Sequence, residues 1–312
     1  MIDIDLLKKE QIPFFVYQNT VLFNVDSFEF ASMLKGNSIS AIITDPPYGV
    51  KEYEIEQLNK MRENNAGVWR LPPAFDGSKR QPLPRFTDLK EKDRKNLSKF
   101  FKVFGEQAAN ILAPGGHLFV ASNAHLAPLV IQSLTNSDLE FRTEIIRLVT
   151  TFRGGDRPKL AEKEFPMACT LPRGGYEPWG LFRKKIGDMT VSECLRQHKT
   201  GALRRINEDS PFKDVIECSR TPKNEKDIAP HPSLKPQKLM RKLVHASLPT
   251  GEGVIFEPFA GSGSTLAAAI NVGCNAIGCE RDKEYFEIAK EAIPKLSRLS
   301  CDGVDFRAPT IL

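Results

Sequence analysis

The chain has 312 residues, of which 41% are hydrophobic and 27% charged, and this composition is ordinary for a soluble protein with a sizeable core. No segment approaches the roughly 18 consecutive apolar residues of a membrane-spanning helix, and residues 1–10 carry acids where a secretion signal needs basic residues. These features argue against a membrane protein or a secreted one, and we expect a cytoplasmic α/β protein of one domain, or of a domain and a lobe.

The net charge of +5 is unevenly distributed along the chain. Residues 142–245 contain 22 basic and 13 acidic side chains, and residues 51–100 contain 12 basic and 8 acidic ones. The other stretches together contain more acids than bases. Two basic segments in an otherwise acidic chain are typical of a protein that binds a polyanion such as nucleic acid, although a solvated basic surface gives the same pattern.

The six cysteines show no metal-binding pattern. They include no Cys-x-x-Cys pair, and no histidines follow at the spacing of a zinc site. We predict reduced, mostly buried thiols and no metal.

The first predicted elements, over residues 21–50, are a strand, a short helix and a strand. The second strand is the apolar, β-branched run Ile39–Thr44, and the sequence Asp-Pro-Pro-Tyr follows directly at residues 45–48. The prolines end the strand because proline donates no backbone hydrogen bond. A carboxylate and an aromatic ring are thus predicted at the carboxyl end of a strand, where open α/β sheets bind ligands; a simple strand-ending turn is the alternative.

Residues 51–96 are predicted to form a long loop that contacts DNA. They contain repeated proline and glycine turn signals, and loops of this length in compact domains are usually functional or disordered. Basic and aromatic side chains are interspersed, and that combination suits phosphates and bases.

Regular elements are predicted again in the middle of the chain. Helical spacing covers residues 97–112, and Pro114-Gly115-Gly116 is predicted to end that helix. A strand at 117–121, a helix at 126–134 and a strand at 144–151 follow. Residues 152–230 are rich in glycine, proline and charge with weak periodicity, which predicts a variable lobe. Pro236 then opens a clear amphipathic helix.

A second cluster of chemical interest lies near the end of the chain. A strand over residues 253–257 leads into a turn that contains Gly261 and Gly263, and a helix follows. The next strand, Asn275–Cys279, ends in Glu280, which lies 19 residues after Gly261. A Rossmann-type site places its ribose-binding acid at about this spacing.

The cofactor predicted for this turn is S-adenosylmethionine. The dinucleotide fingerprint needs a third glycine where this chain has Leu266, so binding of a pyrophosphate is disfavoured. A ligand that has ribose hydroxyls but no phosphate fits better. A tight turn in an unrelated α/β protein is the alternative.

Three clusters together resemble the signatures of the amino-group DNA methyltransferases, which methylate N6 of adenine or N4 of cytosine. Residues 45–48 resemble the catalytic motif, residues 259–263 the cofactor motif, and His-Pro-Ser-Leu-Lys-Pro at 231–236 a third signature that precedes the cofactor motif. The catalytic motif comes first, as in the beta group of the family, and this order implies a target-recognition region between the two. Clear similarity covers about half of the chain, residues 19–50, 98–150 and 228–293.

The resemblance implies a Rossmann-like, S-adenosylmethionine-dependent methyltransferase fold, with a mostly parallel, doubly wound sheet and an inserted basic target-recognition lobe. Residues 1–151 and 231–312 are expected to form the catalytic and cofactor-binding domain, and residues 152–230 the target-recognition region.

The catalytic motif would act on a target base that is flipped out of the duplex. Asp45 and the Pro46 carbonyl are expected to accept hydrogen bonds from the target amine, without a covalent enzyme intermediate. Pro47 belongs to the same motif, and Tyr48 is expected to stack on the base.

The resemblance also implies a cofactor site. Asp26 is expected to meet the adenine amino group of the cofactor, although Val25 stands where the family often has glycine, and Glu257 replaces a frequent aspartate. Ser233 and Lys235 are expected at the methionine end, whereas His231 is expected to be structural. The cofactor-binding residues predicted are Asp26, Asp45, Ser233, Lys235, Phe259, Gly261, Gly263 and Glu280.

Adenine is the favoured target because Asp45 begins the catalytic motif, whereas the cytosine enzymes of this group more often begin it with serine. N4-cytosine methylation stays the alternative. Protein glutamine methyltransferases generally begin the motif with asparagine and place the cofactor motif first, so both features count against them. A catalytically silent nucleic-acid-binding protein and an RNA substrate are further alternatives.

Double-stranded DNA is the predicted partner, and a paired restriction endonuclease and a monomeric or homodimeric state are compatible with the sequence. Basic side chains in the two basic segments could contact phosphate or guanine. The candidates are Arg70, Lys79, Arg80, Arg153, Arg157, Arg204 and Arg205.

Overall fold

The computed structural model describes most of the chain. The described residues are 12–47, 69–70, 83–84, 89–135, 137–154, 161, 163–169, 172–231, 233–301 and 303–304.

The described residues form a nine-stranded sheet, a separate two-stranded sheet and eight helices. The strands are β1 (Phe14–Tyr17), β2 (Thr20–Phe23), β3 (Ile39–Thr44), β4 (Trp69–Arg70), β5 (Leu83–Pro84), β6 (Leu112–Ala121), β7 (Leu139–Gly154), β8 (Arg173–Lys184), β9 (Val215–Glu217), β10 (Val254–Glu257) and β11 (Asn275–Cys279). The helices are α1 (Ser27–Met33), α2 (Glu91–Ile111), α3 (Ala127–Thr135), α4 (Val191–His198), α5 (Lys223–Ile228), α6 (Gln237–Ser247), α7 (Ser264–Val272) and α8 (Lys283–Arg298).

The large sheet has the strand order β1-β2-β11-β10-β3-β6-β8-β7-β9. Strands β2, β11, β10, β3 and β6 run parallel to one another. Their carboxyl ends therefore lie along one side of the sheet, which we call the carboxyl edge, and the opposite side is the amino edge. Strand β8 is antiparallel to β6, so β8 begins at the carboxyl edge. Ligands of open α/β sheets bind at this edge.

Helices cover both faces of the sheet, as the doubly wound prediction requires. Alternate residues of β3 point to opposite faces, so Ile42 packs on one side and Ile43 on the other. Helices α1, α2 and α3 cover the Ile42 face, and α6 and α7 cover the Ile43 face. Full burial of each such aliphatic side chain stabilises the fold by about 1.5–3 kcal/mol.

The predicted helix at 97–112 begins earlier than its apolar spacing indicated. It starts at Glu91, where the Asp93 carboxylate accepts a hydrogen bond from the Lys90 backbone N–H at 3.0 Å. The added first turns are polar and largely exposed, so no apolar periodicity marked them. The helix ends at Ile111 as expected, but the Pro-Gly-Gly turn lies within β6, where it forms an irregularity opposite the stretch of β3 between Ile39 and Ala41.

The segment assigned to target recognition, residues 152–230, contains part of the large sheet. Strand β8 lies between β6 and β7, and its Trp179 and Phe182 side chains are fully buried. Strand β9 adds to the outer side of β7. The role of this segment in recognition stays a prediction, whereas β8 belongs to the core of the fold.

Candidate active site

The Asp-Pro-Pro sequence lies at the carboxyl edge of the sheet. Strand β3 is almost wholly buried up to Thr44, and Asp45, Pro46 and Pro47 follow its last residue. The Asp45 side chain is 15% exposed, so its carboxylate is only partly accessible to solvent. Tyr48, predicted to stack on the base, lies outside the described residues.

The glycine turn lies directly beside this sequence, although more than two hundred positions separate them in the chain. Strands β3 and β10 are parallel neighbours, with Ile42 opposite Phe256 in the register. The turn after β10 and the Asp45 turn after β3 therefore open at the same edge.

A buried glutamate connects the two turns. The Glu257 carboxylate accepts hydrogen bonds from Thr44 Oγ1 at 2.5 Å and from Thr265 Oγ1 at 2.6 Å. The Phe259 backbone N–H donates to the same carboxylate at 3.1 Å. Burial raises the pKa of Glu257 to about 8, although these hydrogen bonds favour the ionised form. Glu257 is thus a buried structural link between the two turns, and its pKa is raised by burial.

The backbone of the turn requires glycine at two positions. Gly261 and Gly263 have φ angles of +52° and +83°, in the left-handed region that side chains rarely adopt. A Cβ on Gly261 would also lie 3.2 Å from the His231 ring, and one on Gly263 would clash with Ile293. Side chains are therefore excluded from both positions of the turn.

Two acids follow the neighbouring strands at this edge. Glu280 follows β11, and its carboxylate accepts from the Gly261 N–H and the Asp282 N–H, both at 2.8 Å. Burial raises its pKa. Asp26 follows β2 and caps α1 by accepting from the Phe28 N–H at 2.9 Å. Because β2 and β11 are parallel neighbours, the two acids lie along one stretch of the edge.

The loop before α6 completes the site. The Lys235 ammonium lies 2.5 Å from Asp45 Oδ2. His231 packs edge-on against Tyr285, with 4.4 Å between ring centroids, and its Nδ1 accepts from the Ser233 N–H at 3.1 Å. Burial, helped by the Lys235 charge, lowers the pKa of His231 to about 4. His231 is therefore neutral at pH 7 and supports the glycine turn, in keeping with its predicted structural role.

Comparison with known proteins identifies the chain. The family model for the N6/N4 DNA methylases matches residues 39–291, a range that includes the Asp45 turn, the Lys235 loop and the glycine turn. The chain belongs to this family. The resemblance predicted from the sequence motifs is confirmed.

Relatives of this N6/N4 DNA methylase support the assignment along its length. The type II methyltransferase M2.DpnII of Streptococcus pneumoniae is 25% identical over 281 residues, which cover 90% of this chain and 92% of the relative. The PvuII DNA methyltransferase structure, described as cytosine-N4-specific, matches with a TM-score of 0.56 at 13% identity, over 90% of this chain and 92% of its own. The M1.HpyAVI–SAM complex matches with a TM-score of 0.51 at 16% identity, over 86% and 97%. These matches confirm the predicted methyltransferase fold.

S-adenosylmethionine is the cofactor of the family, and the residues at the carboxyl edge fit it. Glu280 and Asp26 offer carboxylate oxygens to ribose hydroxyls and an adenine amino group. Glu280 lies directly beside the glycine turn, where its carboxylate accepts from the Gly261 N–H, and Arg281 Nη1 lies 4.0 Å from Asp26 Oδ2. Phe259, which packs beside Phe28 and Phe100, adds apolar surface. The contacts themselves stay predictions for this DNA methylase.

One pair of residues at the site was not found from the sequence. Glu177 Oε2, in the first half of β8, lies 3.7 Å from Lys235 Nζ. The same oxygen accepts from Arg147 Nη1 of β7 at 3.3 Å. Both side chains are largely buried. Arg147 lies in the strand predicted at 144–151, but Glu177 lies in the weakly periodic segment 152–230, so no local signal marked the strand that brings its carboxylate to the carboxyl edge.

The predicted DNA contacts are dispersed. Lys79, Arg80 and Arg157 lie outside the described residues, while the backbones of Arg70 and Arg153 belong to β4 and β7. In contrast, Arg204 and Arg205 lie at the amino edge. The Arg204 N–H donates to the Ala246 carbonyl at 2.9 Å near the end of α6, and its guanidinium lies beside Gly251, before β10. The structure therefore does not bring these two arginines to the Asp45 edge.

Neither a metal site nor a membrane-spanning helix occurs in the described part of the chain. Among the described residues, no three His, Cys, Asp or Glu side chains are grouped so that they could hold a metal ion. In that same part of the chain, no helix combines the length and apolar character needed to cross a membrane.

Proposed function

We propose that this DNA methylase transfers a methyl group from S-adenosylmethionine to the exocyclic amino group of an adenine that is flipped out of double-stranded DNA. The observation that carries the proposal is the position of Asp45 and Pro46 beside the glycine turn on adjacent parallel strands. A methyl acceptor held at the first turn and a methyl donor held at the second would meet at one edge.

The acceptor is a poor nucleophile because its nitrogen lone pair is delocalised into the ring. Hydrogen bonds from its two N–H groups to the Asp45 carboxylate and the Pro46 carbonyl would direct the lone pair towards the methyl group. This is positioning with electrostatic stabilisation, and it requires that Asp45 be ionised. The Lys235 ammonium beside Asp45 favours the ionised form.

The cofactor supplies an electrophilic methyl group on a good sulfonium leaving group. As the nitrogen–carbon bond forms and the carbon–sulfur bond breaks, the amino nitrogen becomes positively charged and must lose one proton. The Asp45 carboxylate, already an acceptor of that N–H, is the group placed to take the proton or pass it to water.

Access to the amine requires base flipping, since a base in the duplex cannot reach a recessed site. The partly exposed Asp45 side chain is consistent with a recessed acceptor site. Tyr48 is proposed as the stacking surface for the flipped base.

Adenine is proposed over cytosine because the motif begins with Asp45, by resemblance to the adenine enzymes. The type II designation of M2.DpnII supports pairing with a restriction endonuclease, and DNA as a substrate implies action in the cytoplasm.

Methylation-sensitive sequencing of DNA from a methylation-free host that expresses the chain tests the proposal. We expect methylated adenines confined to one short recognition sequence. Methylated cytosines would contradict adenine as the target and support N4-cytosine methylation. Unmodified DNA would contradict the proposed activity.

A further inference from the structure

We propose that Glu177 is a positioning residue that holds the Lys235 ammonium against Asp45. The inference rests on the proposed role of Asp45 and assigns a role to a residue outside the three motifs. Lys235 was expected at the methionine end of the cofactor, whereas its ammonium lies between two carboxylates.

The geometry shows a shared ammonium. Lys235 Nζ lies 2.5 Å from Asp45 Oδ2 and 3.7 Å from Glu177 Oε2. The side chains of Lys235, Asp45 and Glu177 are 13%, 15% and 20% exposed, so solvent screening of their interaction is weak. A lysine side chain is flexible, and a second carboxylate restricts where its ammonium can lie.

Glu177 is itself fixed by the fold. Its Oε1 accepts from Trp179 Nε1 at 2.8 Å, and its Oε2 accepts from Arg147 Nη1 at 3.3 Å. Arg147 is opposite Glu177 in the β7–β8 register. Arg147 also donates to the backbone carbonyls of Cys218 and Ser219, at 3.2 and 2.7 Å, after β9. The carboxylate is thus held by the sheet rather than by a mobile loop.

Charge balance explains why the position matters. Asp45 and Glu177 carry two negative charges, and Lys235 and Arg147 carry two positive charges. Without the Glu177 charge, Lys235 and Arg147 would repel each other, and the ammonium would be displaced from its place at Asp45 Oδ2. A carboxylate has about four lone-pair sites, so Asp45 can hold Lys235 and still accept the target amine.

The competing explanation is that Glu177 merely joins β7 to β8. A matched ion pair at the other end of the same strands serves as the control for this structural role. There Glu140 pairs with Arg183 across the β7–β8 register. The distance from Arg183 Nη2 to Glu140 Oε2 is 2.7 Å. This pair joins the same strands but lies at the amino edge.

The kinetic experiment compares Glu177→Gln with Glu140→Gln. We expect Glu177→Gln to lower kcat about tenfold or more, with little change in KM for the cofactor and a fall in melting temperature no larger than that of Glu140→Gln. Glu140→Gln should leave kcat within about twofold. In a Lys235→Met background, Glu177→Gln should lower kcat by less than about twofold, because the ammonium that it positions is gone. A kcat of Glu177→Gln close to that of wild type, or an undiminished effect in the Lys235→Met background, would overturn the inference.

A spectroscopic experiment decides the same question without turnover. In ¹⁵N-lysine-labelled protein, the ammonium resonance of Lys235, identified by its absence in Lys235→Met, is expected in wild type and in Glu140→Gln because an ion pair slows proton exchange. It should shift or disappear in Glu177→Gln. An unchanged resonance contradicts the inference. If the wild-type chain does not methylate DNA, the proposed function fails, yet this spectrum still tests whether Glu177 holds Lys235.

Discussion

Asp45 is the residue on which the chemistry depends, and its environment suits a hydrogen-bond acceptor. The Lys235 ammonium lies at Oδ2, and the side chain is only partly exposed. In this environment the ionised carboxylate can accept a hydrogen bond from the target amine, since the adjacent cation favours the ionised form of Asp45. The residue would thus act by orienting the amine, not by attacking the methyl group.

Replacement of Asp45 by alanine separates chemistry from cofactor binding. We expect Asp45→Ala to lower single-turnover methyl transfer by at least about 10²–10³-fold, the usual cost of removing one preorganised electrostatic group. The cofactor dissociation constant, measured by calorimetry, should change much less because the glycine turn and Glu280 are untouched. A variant with near wild-type turnover would refute the role of Asp45.

Gly261 offers a second test at the residue scale. Gly261→Ala forces a side chain into a positive-φ conformation, which costs about 1–2 kcal/mol, and its Cβ would crowd the His231 ring. The turn is expected to relax to relieve this strain, and cofactor binding must then restore its glycine geometry. We therefore expect the cofactor dissociation constant to rise about tenfold, since about 1.4 kcal/mol corresponds to a factor of ten.

The matched control for this variant is Gly273→Ala. Gly273 ends α7 with a φ of +84°, and a Cβ there would have no atom within 4 Å. It has comparable backbone strain but lies away from the glycine turn, so cofactor affinity should stay within about twofold while stability falls. Equal cofactor affinity in the two alanine variants would contradict the proposed role of the glycine turn.

At the scale of elements, the turns after β3 and β10 are joined through Glu257. Thr44 comes from the first strand and Thr265 from the helix after the second turn. This link fixes the acceptor and donor halves of the site relative to each other. Its protonation should be visible in the stability of the fold.

We predict a pH-dependent stability from Glu257. In the unfolded chain its pKa returns to 4.5, whereas burial raises the pKa of the folded form to about 8. Its protonated form therefore stabilises the fold fully below pH 4.5, and this contribution is lost as the pH rises to 8. A pKa that differs by one between the folded and unfolded chains corresponds to about 1.4 kcal/mol of unfolding free energy, so the loss should amount to a few kcal/mol.

The measurement compares the unfolding free energies of wild type and Glu257→Gln across this pH range. Glutamine cannot ionise, so the variant should become more stable relative to wild type as the pH rises. All other titrating groups are common to both proteins and cancel in the difference. A difference that does not change with pH would show that Glu257 is ionised in the folded state.

Some elements could be predicted from the sequence and others could not, for identifiable reasons. Strands β3 and β10 are short, apolar and ended by turn residues, so their positions were correct. The first turns of α2 are polar, and β8 lies in a segment rich in glycine, proline and charge, so neither had a periodic signal. Glu177 was consequently not predicted, because only the strand order shows that β8 begins at the edge of the sheet where Asp45 lies.

Across the whole molecule, basic residues are not confined to the side where the active site lies. Arg204 lies at the amino edge. In contrast, Arg94 lies in the first turn of α2, 3.2 Å from His125, which follows β6 at the carboxyl edge. DNA that delivers a base to Asp45 should pass Arg94 and not Arg204.

Paired variants test this orientation of DNA. We expect Arg94→Gln to weaken DNA binding several-fold and to reduce the slope of log affinity against log salt by about one, as for one lost phosphate contact. Arg204→Gln, measured at the same salt concentrations, should leave both quantities unchanged within about twofold. The reverse pattern would place the DNA on the amino edge and contradict the proposed site.

The most direct test of the proposed function identifies the methylated base made by the purified protein. Unmethylated DNA is incubated with S-adenosylmethionine and wild type or Asp45→Ala, and the DNA is hydrolysed to nucleosides for mass spectrometry. We predict N6-methyldeoxyadenosine with wild type and none with Asp45→Ala. N4-methyldeoxycytidine instead, no methylated nucleoside, or the same product from both proteins would contradict the proposal.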